Sequence, residues 1–402
     1  MRVPRFTHAI VLAALLSAAV AVPAPAHAGR GMEVALQDDA IFLYHQYYSP
    51  SLAFHQAQEL QVTRLRVNIL WAKTLPTQRG LTKRPKHLSY DFRPWDNLVD
   101  QAAKYGIRVS LTLAGQPVPA FASGHHRQDQ YKPNPRRFAE FARDVARHFK
   151  GRVDRYSIWN EPNHKAWLAP VGKQAKIYRK LYVAGYRAIK KANRRAKVFI
   201  GETAPFSKSR KIATPPLKFL RQLTCANSRY RRRKRCKPLV ADGFAHHPYE
   251  FTGAPKHPPR QFNHRDDVPL AGLGRLTRAL DKLRKAHLLY GPHRRRLDLY
   301  LHEYGYKVAG RGKIFPQATR AKFLVQAFTI TQRNRRVRTM LQYGLASPPS
   351  NLPSAFFDLS IVTLGGERMV PFRALRAWAS TNVKRHKIKR NRGPLHLRPR
   401  PG

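Results

Sequence analysis

The chain has 402 residues, 43% of them apolar, with 76 Lys and Arg against 22 Asp and Glu and a formal net charge of +54. That length and apolar content hold one large α/β domain or two smaller ones, because single domains of roughly 250 to 350 residues occur mainly as barrels. A field of this sign attracts polyanions, but neither zinc-finger spacing nor an aromatic RNP-type strand accompanies it, which argues against dedicated nucleic-acid binding, and most of the positive residues fall on helix faces that read as solvated.

Arg2 and Arg5, an apolar run over 9–22 and then Ala26-His27-Ala28 match the three regions of a secretory signal peptide, with cleavage expected after Ala28. The apolar run of roughly 14 residues falls short of the ~20 that span a bilayer. No later stretch is long and apolar enough, so the mature chain is expected to be secreted, with no membrane span.

From residue 30 onward, short β-branched or Leu-rich runs alternate with amphipathic stretches, the pattern of a parallel sheet with crossover helices. The expected strands are 33–36, 64–70, 107–113, 153–159, 197–201, 241–246, 297–302 and 337–343. Between them, Trp95, Leu98, Val99, Ala102 and Ala103 have helical spacing, as do Phe138, Phe141, Ala142, Val145 and Phe149, and as do Ile177, Leu181, Ala184 and Ala188. Asn134-Pro135 supplies an N-cap followed by proline at the first helical position. Further helices are expected over 273–288, 316–331 and 372–379.

Eight strands alternating with helices over about 350 residues define a (β/α)8 TIM barrel, whereas a doubly wound open sheet usually stops at five or six strands. The expected organisation is therefore a signal peptide over 1–28, a single barrel domain over 29–383 and a basic tail over 384–402. The tail is rich in Lys, Arg and Pro without apolar periodicity, a composition that predicts disorder. Its functional reading is a tether to an anionic cell-wall or polysaccharide surface.

Cys225 and Cys236 are the only cysteines, and in an exported chain they are expected to be bridged. Such a bridge staples one basic surface loop and contributes on the order of 3 kcal/mol at most. Two cysteines in such a chain do not suggest a zinc site.

In a parallel barrel the catalytic groups sit at the C-terminal ends of the strands. The fourth strand runs into Trp159-Asn160-Glu161-Pro162-Asn163 and the seventh into His302-Glu303-Tyr304. These strands face each other across the mouth, so Glu161 and Glu303 can approach a substrate from opposite sides. Two carboxyl groups about 5 Å apart can divide a double displacement between a nucleophile and an acid/base.

This arrangement resembles clan A of the glycoside hydrolases, and the Asn-Glu-Pro-Asn form leans toward family 39-like over family 5-like enzymes. The resemblance implies Glu161 as general acid/base, Glu303 as nucleophile and Asn160 as the partner of the sugar 2-hydroxyl. It also implies that Arg66, in Arg64-Leu65-Arg66-Val67-Asn68, is the arginine near the nucleophile, and that His247 and Tyr249 are the His and Tyr after strand six, with Tyr249 orienting Glu303. Where many clan members end strand eight with a tryptophan under the sugar, this chain has Gln342-Tyr343-Gly344, which leaves Tyr343 to stack.

Tyr47, Trp71, Trp159, Trp167 and Tyr306 fall near the expected mouth, and of these Trp71 and Trp167 are favoured as sugar-stacking platforms. Glu202 closes the fifth strand with no role in the scheme and is expected to bond loop backbone; His246 is expected to be a satisfied rim histidine. The pairs His125-His126 and His246-His247 have no acidic partner at ligand spacing, and the reaction needs neither metal nor organic cofactor. The expected function is a secreted retaining glycosidase acting on O-linked, β-configured saccharides. The alternative is a catalytically inactive barrel that binds anionic glycan or cell-wall polymer through its basic surface.

Overall fold

The computed structural model describes residues 31–75, 89–115, 130–207, 209, 211–233, 236–256, 264–310 and 312–401. The expected signal peptide and His125-His126 lie outside them.

Eight parallel strands close into a barrel in the order β1-β8-β7-β6-β5-β4-β3-β2. They are β1 (Glu33–Gln37), β2 (Val62–Leu70), β3 (Arg108–Ala114), β4 (Arg155–Ile158), β5 (Lys197–Thr203), β6 (Gly243–His246), β7 (Leu299–Leu301) and β8 (Val337–Tyr343). A helix follows each: α1 (Pro50–Glu59), α2 (Arg93–Lys104), α3 (Pro135–His148), α4 (Gln174–Ala192), α5 (Pro216–Leu223), α6 (Leu273–Lys285), α7 (Gln317–Arg333) and α8 (Val370–Lys384). All eight expected strands are present. Two further two-residue strands, Leu239–Val240 and Leu289–Tyr290, pair beside the barrel.

Strand β2 shows how the sequence sets the two faces. Side chains alternate along a strand, so Leu65, Val67 and Ile69 join the buried apolar cluster while Arg64 and Arg66 make their ion pairs inside the barrel. The expected stripes on α2 and α3 are buried, all but Ala103 in the same cluster. Asn134 caps α3, its Oδ1 accepting from Arg136 N at 3.0 Å and Arg137 N at 3.4 Å, a contact worth about 1 kcal/mol.

The N-terminal end of the barrel is filled by charge. Glu33 on β1 accepts from Arg155 Nη1, lies 3.4 Å from Arg64 Nε and 2.7 Å from Lys389 Nζ, and Arg64 also reaches Asp154 at 2.8 Å. Burial pushes the Glu33 carboxyl up, but Arg64, Arg155 and Lys389 together hold it well below the ordinary range.

Lys389 belongs to the segment expected to be a disordered tail, and here the expectation fails. Residue Ile388 is buried and bridges Met32, Asn391 Nδ2 donates to Val62 O at 2.8 Å and to Tyr105 O at 2.9 Å, and Leu395 N donates to Ala103 O at 2.8 Å. The segment orders without apolar periodicity because it lies extended and is held by side-chain-to-backbone bonds and single apolar anchors. Cys225 and Cys236 are bonded to each other in the connection between α5 and β6. Among the described residues no helix is long and apolar enough to cross a membrane.

Candidate active site

Glu161 stands three residues beyond β4 and Glu303 two beyond β7, at the C-terminal mouth. Glu161 is set by a turn that ordinary residues resist: Trp159 and Glu161 have φ of 66° and 36°, a conformation that costs roughly 1–3 kcal/mol and persists only where the surroundings enforce it. Enforcement at Trp159 comes from its backbone N donating to Leu113 O and its Nε1 to Trp167 O, each at 2.7 Å.

Around Glu303 the hydrogen bonds converge. Arg66 Nη1 donates to Oε1 at 2.8 Å and Tyr249 OH donates to Oε2 at 2.9 Å. Arg66 Nη2 donates to Asn160 Oδ1 at 2.6 Å, and Nη1 also donates to Gln37 Oε1. Because a guanidinium can only donate, it fixes the Asn160 amide with its NH2 as the group left to meet a substrate hydroxyl.

His247 is the hub between the carboxylates. Its Nδ1 lies 3.1 Å from Glu161 Oε1 and 3.4 Å from Glu303 Oε2, and its Nε2 lies 2.7 Å from Glu202 Oε2. Burial depresses the imidazole, but Glu303, Glu161 and Glu202 raise it to about 9. Near neutral pH the ring is therefore an imidazolium.

Glu202 corrects the sequence-based expectation. Instead of bonding loop backbone, it is wholly buried and holds His247, His302 Nδ1 at 2.6 Å and Arg66 Nη2 at 3.4 Å. Burial acts upward on it, but Arg66 and the two histidines keep it well below the ordinary range. Gly201 and Glu202 adopt φ of 114° and 47° in a bulge of β5 against β6. A glycine directly before a carboxylate at a strand end is the signal that could have found this position.

Burial pushes both mouth carboxyls up. At Glu161 the hydrogen bond and charge of His247, with His164 and Arg66, outweigh burial and leave it below its ordinary value. At Glu303 burial and the Glu161 charge outweigh His247 and Arg66 and leave it above.

Glu161, His247 and Glu303 each offer one atom within 4.8 Å of the others. The donors are already engaged, with both ring nitrogens on carboxylates and both Glu303 oxygens on Arg66 and Tyr249, so this set is an ion-pair cluster and a poor cation cage.

The cluster floors a cavity of ≈ 520 Å³, whose walls include Trp167, Phe251, Tyr343 and Phe357. Tyr343 stands where expected, with Phe357 against it at 5.8 Å between ring centroids. Trp71 does not line the cavity: it is buried and stacks on Phe141 at 5.7 Å, because the turn after β2 points it outward under α3. Trp159 and Tyr306 are also buried, and Tyr47 packs half-buried on the core. His246 is satisfied by Thr203 Oγ1 and Val268 O but is buried, away from the rim. Sequence reasoning missed Gln37, His302 and Asn68; Asn68 lines the cavity and is pinned by its Nδ2 donating to Asp39 Oδ2 at 3.0 Å.

The profile of Glycosyl hydrolase family 1 matches residues 26–192. A 6-phospho-beta-glucosidase of Dickeya chrysanthemi is 30% identical over 165 residues, 39% of this chain, which thus spans about a third (34%) of that relative's length. Among solved structures, a family 39 glycoside hydrolase from Bacteroides cellulosilyticus WH2 superposes with TM-score 0.62 at 16% identity, covering 88% of this chain and 64% of that one. Xylanase 10B from Thermotoga maritima superposes with TM-score 0.55 at 14% identity, covering 89% and 97%. At such identities the likeness is one of fold. With a family 1 match over the segment that carries Asn160-Glu161-Pro162-Asn163, and a closed eight-strand barrel that sets a glutamate after its fourth and seventh strands, the chain is similar to clan A of the glycoside hydrolases.

Proposed function

We propose that the protein is a secreted retaining glycosidase that hydrolyses β-configured O-glycosidic bonds, with Glu303 as nucleophile and Glu161 as general acid/base. The observation that carries this reading is the spacing of the two carboxylates, whose oxygens approach within 4.8 Å. Retaining enzymes keep their carboxyl groups about 5–5.5 Å apart, whereas inverting ones need about 6.5–9.5 Å to admit a water. In the first step a Glu303 oxygen bonds to the anomeric carbon as the glycosidic C–O bond breaks and Glu161 gives its proton to the leaving oxygen. In the second, Glu161 takes a proton from water, whose oxygen replaces Glu303 at that carbon.

Double displacement needs Glu161 protonated and Glu303 anionic, the reverse of the order that the surrounding residues set. His247 reconciles the two. Shifting its Nδ1 proton across 3.1 Å to Glu161 Oε1 turns an imidazolium–carboxylate pair into a neutral pair, and a sugar that excludes water from the partly exposed Glu161 favours the uncharged form. The hydrogen bonds from Arg66 and Tyr249 suit Glu303 to remain the anion. The relative named above acts on a 6-phosphorylated sugar by its name, but no Lys or Arg is among the described lining residues here, which favours a neutral sugar. Secretion is supported by the start of the sequence and by the Cys225–Cys236 bond, since disulfides persist in oxidising compartments.

The test is hydrolysis of a panel of β-glycosides by the exported protein, with the anomer formed first read by proton NMR, beside Glu161→Ala and Glu303→Ala. Retention, loss in both variants and azide rescue of Glu161→Ala on activated substrates are expected; inversion, or activity surviving both substitutions, overturns the assignment.

A further inference from the structure

The docked terminal segment displays charge in a fixed pattern. It crosses the N-terminal ends of the first three strands: Lys389 N donates to Met32 O at 3.0 Å beside β1, Asn391 Nδ2 to Val62 O at 2.8 Å at the start of β2, and Leu395 N to Ala103 O at 2.8 Å in the last turn of α2. Gly106, with φ of 74° in the turn into β3, lets the segment lie flat, since a Cβ there would strike Gly393 O and Asn391 Oδ1. From Lys389 to Arg398 the exposure alternates residue by residue, the pattern of an extended chain with one face docked. Asn391, Leu395 and Leu397 are on the covered face, and Arg390, Arg392, Pro394, His396 and Arg398 are exposed. Successive outward side chains of an extended chain stand roughly 7 Å apart.

The row continues past the segment. Arg398 lies across Gly151, next to the exposed Lys150 in the turn before β4, and the following turn brings the exposed Arg194, Arg195 and Lys197 to the start of β5. Adjacent strands begin only about 5 Å apart, so these groups form one band of positive charge. Lys197 feels the crowding: burial, with the charges of Arg155 and Lys389, outweighs Asp154 and Glu33 and holds its ammonium below the ordinary value. The acids that the segment meets are already shared, Glu33 among Arg64, Arg155 and Lys389, and Asp100 between Arg152 and Arg400.

We propose that the segment from Lys387 to Arg400, with the turns into β4 and β5, is a docking surface for a linear acidic polysaccharide that carries carboxylates along its chain. Guanidinium forks match carboxylates in pairs, and a backbone already fixed to the barrel loses little freedom when a polymer settles on it. A nucleic acid strand is gripped by rings that stack on its bases in series, and an anionic membrane by apolar side chains that enter it. Three guanidinium groups, an imidazole and a proline at the five outward positions suit a charged chain with neither bases nor acyl tails. Because the surface closes the end of the barrel opposite Glu161 and Glu303, a polymer held there leaves the mouth open to substrate. The choice of a polysaccharide rests on the secreted-glycosidase reading above; the surface itself does not.

Calorimetry of an oligogalacturonate from about 50 to about 200 mM salt compares wild type with two triple variants. One is Arg390→Gln, Arg392→Gln and Arg398→Gln; the other removes equal charge from the exposed face of α4, by Lys176→Gln, Lys180→Gln and Arg187→Gln. The proposal expects the first variant to lose about tenfold or more in affinity and about two to three in the slope of log Kd against log salt, and the second to lose under about twofold. Equal losses in the two variants, as diffuse charge would give, overturn it, and so does tighter binding of single-stranded DNA or phosphatidylglycerol vesicles at equal charge. Hydrogen exchange of wild type reads the place without any substitution: the oligomer should slow exchange over 388–400 and 194–197 and leave 159–164 unchanged. Protection confined to other segments overturns the assignment. Hydrolysis of small β-glycosides should be the same in all three proteins. Binding specific to the segment by a protein that hydrolyses no glycoside keeps the surface and sinks the glycosidase; hydrolysis with equal losses in the two variants does the reverse.

Discussion

The Nε2 of His247 lies 2.7 Å from Oε2 of Glu202, and neither side chain is exposed to solvent. Glu202 touches no proposed reacting atom, yet it orders the groups that do: it holds His247 between the two mouth carboxylates and also meets Arg66 and His302. Replacing Glu202 with Gln should remove one of the charges that lifts His247 to about 9. We expect kcat/KM to fall by at least about a hundredfold, and the alkaline limb of the pH profile, where the proton shared by His247 and Glu161 is lost, to move to lower pH. A merely structural Glu202 would lower activity without moving that limb. The measurement is the full pH–rate profile of both proteins.

Tyr249 makes a narrower claim. Its hydroxyl donates to Glu303 Oε2 at 2.9 Å, and Arg66 still holds the other oxygen if the hydroxyl is removed. Tyr249→Phe should lower kcat by roughly 10- to 100-fold, the range for removing one hydrogen bond to a charged group, with KM changed little. Pre-steady-state kinetics locates the loss: the first, bond-breaking step should slow, because Glu303 held by Arg66 alone is less firmly aimed at the anomeric carbon. A KM effect with kcat intact would mean that Tyr249 serves sugar binding instead.

The same cluster links stability to pH. His247 has its folded value raised to about 9 against 6.5 for an ordinary histidine. A raised value means the stabilisation is complete below about 6.5 and is lost as pH climbs through about 9. Urea unfolding from pH 6 to 10 should therefore show stability declining over that window, and His247→Gln should be less stable at pH 6 but show a flatter decline. Parallel slopes in the two proteins would remove His247 from the account.

Much of this was legible in the sequence because barrel strands repeat a simple rule. Runs such as Leu65, Val67 and Ile69, with Arg64, Arg66 and Asn68 on the alternate positions, declare two faces, and glutamates at the ends of the fourth and seventh strands declare the mouth. That rule picked out Glu161 and Glu303, the resemblance to clan A added Asn160, Arg66, His247 and Tyr249, and the fold brings all six together. What the sequence hid were contacts fixed by backbone departures and by long-range pairing. Glu202 turns inward only through the bulge at Gly201. Trp71 is set by which way one turn points, and the terminal segment is ordered by polar bonds to strands over three hundred residues away, as with Asn391 and Val62.

The buried charge at the opposite end of the barrel is a liability when unbalanced. Glu33 faces Arg64, Arg155 and Lys389, so Glu33→Gln leaves cations buried without their anion, a loss of about 3–5 kcal/mol. Because the Glu33 carboxyl is held below its ordinary value, its contribution is present above pH ~4.5 and fades as pH falls through the lower folded value. Chemical denaturation at pH 7 and pH 3 should show a gap between the two proteins that narrows in acid. A gap that stays constant would assign the loss to packing.

Truncation before Ile388 tests the docked terminal segment directly. The cut removes the buried Ile388 side chain, the Asn391 bonds to Val62 O and Tyr105 O, the Leu395 bond to Ala103 O and the Lys389–Glu33 pair. Burial of one such apolar side chain contributes about 1.5–3 kcal/mol and each hydrogen bond about 1 kcal/mol before the cost of ordering the segment. A net loss on the order of 2–4 kcal/mol is expected in urea unfolding. Lys389→Ala alone should cost under about 1 kcal/mol, since its ammonium is partly exposed and screened. Activity of the truncated chain at low temperature should match that of the full chain, because the segment closes the end of the barrel opposite the mouth. Unchanged stability, together with rapid proteolysis inside 388–401 of the intact protein, would mean that the segment does not hold this position in solution.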